Sequence, residues 1–182
     1  MATPLMRLLL LALAFAVSGC ATTQPDAVLR GDPLDVMFLQ MMLPHHQQGV
    51  EMVALARDRA RNEELRMLAA AIEKTQATEA DTMRNWLTSW GEPLTAPPDS
   101  HAGHGGMRQS DPQEVARLSA LRGAEFDERL LNVMIAHQDD AVQMARWEVG
   151  SGANQEVKDL ADRIEKSRTA QIGLMKKFLG TT

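Results

Sequence analysis

The chain has 182 residues, a formal net charge of −5, one cysteine and no tyrosine. That acidity argues against nucleic acid as a partner, and a lone cysteine excludes an internal disulfide framework. The length suits one domain with a real core, which must rest on Leu, Ile, Val, Ala and Met because aromatics make up only 4% of the chain.

Arg7 precedes an apolar run from Leu8 to Val17, which fits the h-region of an export signal and is too short to cross a bilayer. Val17-Ser18-Gly19-Cys20 resembles a bacterial lipobox, in which the cysteine is lipidated after cleavage. Residues 1–19 are therefore expected to be a lipoprotein signal peptide and residues 20–31 a tether. The protein is then exported and held in the cell envelope by lipid at Cys20, facing the periplasm in a two-membrane organism. With Cys20 acylated, any metal site must use His, Met, carboxylate or amide groups.

Asp32-Pro33 opens the first helix, Asp as N-cap and Pro at N1. It is expected to run to about Arg61, with Phe38, Met42, His45, Gly49, Met52 and Ala56 along its inward seam. Pro44 removes one backbone hydrogen bond inside it and predicts a kink beside the histidines. Asn62 caps a second helix ending at Trp90-Gly91, whose seam is apolar except at Gln76 and Glu79. A Pro- and Gly-rich stretch follows, carrying His101, His104 and Met107, a candidate weak metal-capture site. Asp111-Pro112-Gln113-Glu114 starts a brief helix that stops near Gly123. The third long helix covers about Ala124 to Val149, and the fourth follows the cap at Asn154.

Adding 92 to a position in the first half gives its counterpart in the second: Met42 matches Met134, His45 matches His137, Met52 matches Met144 and Met83 matches Met175. One pattern, Met-x-x-His-x6-Met, is written twice within a duplicated helical hairpin. A lone hairpin cannot cover its apolar face, so two copies stack. The predicted architecture is all-α: an antiparallel four-helix bundle over residues 32–182, with repeat 1 at 32–91, a linker at 92–123 and repeat 2 at 124–182.

Di-iron bundles place Glu three residues before His on facing helices. Here Met42 and Met134 hold that place, and a neutral thioether beside an imidazole suits Cu(I) or a related soft ion better than a ferric pair. Met52 and Met144 lie two turns beyond each His and serve, on this reading, a second ion. Gln76, Glu79, Gln171, Met83 and Met175 are candidates for the surrounding shell. A structural polar layer stays open beside the metal reading: Glu79 pairs with Arg168 while His45 and His137 bond to Gln76 and Gln171.

Phe38-Leu39-Gln40-Met41-Met42-Leu43-Pro44-His45-His46-Gln47-Gln48-Gly49-Val50-Glu51-Met52, with Phe126-Asp127 and Met134-Ile135-Ala136-His137, resembles the DUF305 family of exported bacterial proteins with a ferritin-like bundle fold. Some members are implicated in copper binding and resistance through Met and His. The resemblance implies Met42, His45, His46, Met52, Met134, His137 and Met144 as metal ligands here. Two departures stand out: His137-Gln138 replaces a second His-His, and Arg168-x2-Gln171-x3-Met175 replaces the family's Gln-x-x-Glu-x3-Met. One strong site in place of two is expected.

The leading expectation is a copper-binding, membrane-anchored lipoprotein that buffers Cu(I), confers resistance or passes the ion to a delivery partner, with no catalytic step assigned. Homo-oligomerisation is a further possible association. The competing expectations are an envelope structural or stress protein with a non-metal polar layer, and a ferritin-like di-metal oxidase. The oxidase is short of acids, since Glu79 is the sole seam carboxylate on the four long helices against the four such a site uses.

Overall fold

The computed structural model describes residues 30–96, 111 and 113–180. The signal segment with Cys20, and His101, His104 and Met107, lie outside the described residues.

Six helices form among the described residues: α1 (Pro33–Ala54), α2 (Ala56–Arg59), α3 (Glu63–Trp90), α4 (Gln113–Ala120), α5 (Gly123–Ser151) and α6 (Gln155–Leu179). The all-α reading holds, with the four long helices paired as hairpins, α1 on α3 and α5 on α6, and with α1 meeting α5 across the repeat boundary. None of the described helices is long and apolar enough to cross a membrane.

The caps read from sequence are present. Asp32 accepts from the Leu34 and Asp35 amides in a capping box, the Asn62 and Asn154 side chains each accept from two first-turn amides of α3 and α6, and Gly91 closes α3 at φ 75°. α1 is continuous through Pro44 to Ala54, and after the single αR residue Leu55 the helical run resumes as α2 and stops at Arg59, just short of the expected Arg61. The reason lies in the other repeat. Ala60 is extended, and the Asp127 carboxylate accepts from the Arg61 amide at 3.0 Å and the Asn62 amide at 2.8 Å, pulling the chain out of helix.

Asp35, the counterpart of Asp127, does the same at the opposite end, accepting from the Ala153 and Asn154 amides at 3.1 Å each. Each repeat's first helix thus anchors the turn of the other repeat. Both carboxylates are buried, so the amides they satisfy have no water to turn to.

The core divides into two apolar clusters. One contains Phe38, Met42, Leu43, Met83, Leu87, Ala141, Val157 and Ile164, with Met144 packed against it. The other contains Met52, Leu65, Ile72, Phe126, Leu130, Leu131, Met134 and Met175. The 92-residue correspondence exchanges them: Phe38, Met42, Met83 and Met144 in the first answer to Leu130, Met134, Met175 and Met52 in the second. The offset of 92 residues thus carries these members of each cluster onto members of the other.

Candidate functional site

Each long helix runs from one apolar cluster to the other, and at the crossing it carries polar side chains. On α1 these are His45 and His46, on α3 Gln76 and Glu79, on α5 His137 and Gln138, on α6 Arg168 and Gln171. His45, His46, Gln76, His137, Gln138 and Arg168 are at most 2% exposed. Groups this deep must pair with one another or stay unsatisfied.

At the centre the imidazoles of His45 and His137 stack, their centroids 3.7 Å apart and their planes 13° from parallel. Neither ring nitrogen of His45 has a hydrogen-bond partner among the described residues, so the glutamine bond expected for it does not form. Gly49, one turn beyond His45, makes the close approach possible: a Cβ there would lie 2.2 Å from Gln76 Oε1 and 2.7 Å from His137 Nε2.

Two three-residue networks flank the stack, related by the repeat. In one, His46 Nε2 lies 2.8 Å from Glu79 Oε2 and 3.1 Å from Arg168 Nη2, while Arg168 also donates to the same Glu79 oxygen. A ring nitrogen that donates to the carboxylate cannot also accept from the guanidinium, so the arrangement assigns the proton to Nε2 and leaves Nδ1 as a bare lone pair without a partner. In the other, Gln76 donates to Gln138 at 3.1 Å and Gln138 to Gln171 at 2.5 Å. Adding 92 turns His46, Gln76 and Glu79 into Gln138, Arg168 and Gln171. The network that is charged on one side is all amide on the other.

Burial sets the protonation of the layer. It holds His45 well below the ordinary imidazole range, helped by the neighbouring His137, and it brings His137 down to about 3. His46 is also lowered by burial, against the opposing pull of its bond to Glu79. Burial pushes the Glu79 carboxyl up, yet its bond to His46 and the charge of Arg168 hold it below the usual carboxylate value. Burial lowers Arg168 while Glu79 supports its charge. At neutral pH the layer holds three neutral imidazoles and one internally balanced ion pair.

The metal candidates are therefore partly gathered and partly divided. Met42, His45, His46, Met134 and His137 all point inward, but Met42 and Met134 belong to different clusters on opposite sides of the layer. Met144 joins Met42 and Met83, and Met52 joins Met134 and Met175, so the second methionine of each copy accompanies the first methionine of the other. Sequence reading did not foresee that exchange, although antiparallel packing of two identical hairpins requires it. It also passed over Gln138 as a site residue. No group of three or more His, Cys, Asp or Glu placed to hold a metal occurs among the described residues, so a centre here depends on thioether sulfur.

The sequence profile of DUF305, a domain of unknown function, matches residues 35–179. The chain belongs to DUF305. Its fold is shared with a DUF305 fragment from Deinococcus radiodurans, at 31% identity and a TM-score of 0.74 over 84% of this chain and 99% of that one. A DUF305 protein of Streptomyces coelicolor superposes at 31% identity and a TM-score of 0.77 over 81% of this chain and 93% of that one. CopM, solved in its Cu(II)-bound form, is 32% identical with a TM-score of 0.68 over 81% of this chain and 96% of that one. CopM has also been solved with Cu(I) and with silver. No functionally curated protein matches this DUF305 chain.

Proposed function

We propose that this protein binds copper, chiefly as Cu(I), and buffers the ion or hands it on from a lipid-anchored position in the cell envelope. The observation that carries the proposal is a buried layer of neutral imidazoles whose ring nitrogens lack hydrogen-bond partners among the described residues, His45 at both positions and His46 at Nδ1, lying between two methionine-bearing clusters. The donor set fits a soft monovalent ion. Thioether and neutral imidazole carry no charge to attract a hard cation, and neither needs to lose a proton to bind.

His46 supports the fit in a second way, because a metal-ligating imidazole commonly donates its other N–H to a carboxylate that fixes the tautomer, as Nε2–H does here to Glu79. Met42 with His45, and Met134 with His137, are the core of the proposed ligand pool. Met52, Met144 and His46 adjoin it, while Gln76, Glu79, Gln171, Met83 and Met175 surround it. His101, His104 and Met107 are proposed as a capture site. These residues would hold copper as cargo for storage or transfer, and no reaction is assigned. The copper- and silver-bound forms of CopM, a neighbour of the same fold, support the choice of metal.

Cu(I) titration against a competing chelator tests this, comparing the wild-type protein with the Met42→Leu/His45→Ala variant. The wild type is expected to hold at least one ion about tenfold or more tightly than the variant, as loss of ligands worth roughly 1.4 kcal/mol would give. Equal, weak uptake by both removes the proposal. The hydrogen-bonded glutamines keep a purely structural layer as the second reading, under which the variant lowers the melting temperature and leaves metal content unchanged.

A further inference from the structure

We infer that Arg168 makes the polar layer a charge filter, admitting one soft monovalent cation and rejecting dications or a second ion. This rests on the copper reading above and names the residue that sets its selectivity.

The repeat supplies the first line of argument. Arg168 occupies the slot that Gln76 fills in the other copy, and Gln76 fills it with a neutral amide that donates to Gln138. The fold therefore has an uncharged solution for this position and carries a guanidinium there all the same. The side chain of Arg168 is fully buried, a placement that costs stability unless the charge is matched.

The second line is the direction of the ion pair. The Arg168 side chain is 0% exposed and that of Glu79 13%, so the positive end faces inward and the negative end outward. Arg168 Nη2 lies 3.1 Å from His46 Nε2, so the positive charge sits within the layer itself. An ion entering the layer meets that positive end across a medium that screens poorly. The repulsion doubles from a monovalent to a divalent ion, and the cost of dehydrating the ion rises as the square of its charge.

The third is what the charged network leaves available. It keeps His46 Nε2 occupied and offers only Nδ1, while the amide network has no imidazole to offer. One half of the duplicated layer is thus richer in ligands than the other, which suits one ion.

The test uses full-length protein and two probes, Ag(I) and Zn(II), followed through the ring nitrogen resonances of His45 and His137, which separate the layer from the histidines of the linker. In the wild type, Ag(I) shifts both rings at one equivalent and Zn(II) binds them far more weakly. Arg168→Gln is expected to raise the Zn(II)-to-Ag(I) affinity ratio about tenfold or more, whereas Arg168→Lys, which keeps the charge, leaves it within about threefold of wild type. If Arg168→Gln fails to fold by circular dichroism, Glu79→Gln/Arg168→Gln replaces the charged network by amides like those opposite, and the same rise is expected. An unchanged ratio in the folded variant overturns the charge filter while leaving copper binding in place. Absence of any Ag(I) effect on His45 and His137 in the wild type overturns the copper reading itself.

Discussion

At the residue scale the buried ionisable groups outside the polar layer are as informative as those within it. Glu148 on α5 is fully buried beside Asp35, in a place where the first repeat has Ala56, and Gly152 leaves room for it: a Cβ there would sit 2.0 Å from Glu148 Oε1. Burial, reinforced by the neighbouring Asp35 side chain, pushes the Glu148 carboxyl up to about 8. The folded protein then holds the Glu148 proton between about pH 4.5 and pH 8 while the unfolded chain has released it, so this group's contribution to stability is lost as pH rises through that window. The histidines act in the opposite sense. Their folded values lie below the ordinary 6.5, with His137 at about 3, so the unfolded chain binds more protons and stability is lost as pH falls through that range. Glu148→Gln is accordingly expected to gain on the wild type as pH rises from 5 to 8.5, by on the order of 2 kcal/mol, with little difference at the acid end. Urea denaturation across pH measures this, and parallel curves for the two proteins would contradict it.

At the element scale the two buried aspartates explain why the hairpins stay in register. A helix of the other repeat begins where Asp35 or Asp127 gathers two backbone amides, so helix start and inter-repeat docking are one event. Both residues were legible in the sequence, being related by the same offset as the histidines, but nothing in a helical pattern shows that an acid in the first turns of one helix will cap a turn on another. Asp127→Ala leaves the Arg61 and Asn62 amides without their acceptor and is expected to cost roughly 2–4 kcal/mol of global stability. Asp127→Asn, which keeps an acceptor oxygen, should recover part of the loss. Equal midpoints for Asp127→Ala and wild type in chemical denaturation would show that the turn is satisfied in some other way.

At the scale of the whole molecule, neither repeat owns a complete core. The cluster around Phe38 includes Val157 and Ile164 from the second repeat, and the cluster around Phe126 includes Leu65 and Ile72 from the first. Peptides covering 30–96 and 111–180 are therefore expected to show weak helicity alone and to recover it on mixing in equal amounts, since each supplies the apolar face the other lacks. Full helicity of either peptide alone would mean that the hairpin is the folding unit and the duplication only a docking.

How much could be read in advance follows from which interactions are local. Caps, turns, helix phase and the repeat depend on residues within a few positions of one another or on a constant offset, so the sequence alone determined the all-α fold, the paired hairpins and a layer containing His45, His137, Gln76 and Glu79. It also foresaw the pairing of Glu79 with Arg168, because a buried acid and a buried arginine are rarely left alone. The tertiary structure alone decided that His45 stacks on His137, that the methionines trade partners between copies, and that one hydrogen-bonded network is charged while its mate is amide. Those outcomes depend on which helix faces which between the repeats, and side-chain periodicity along a single helix carries no information about the face opposite.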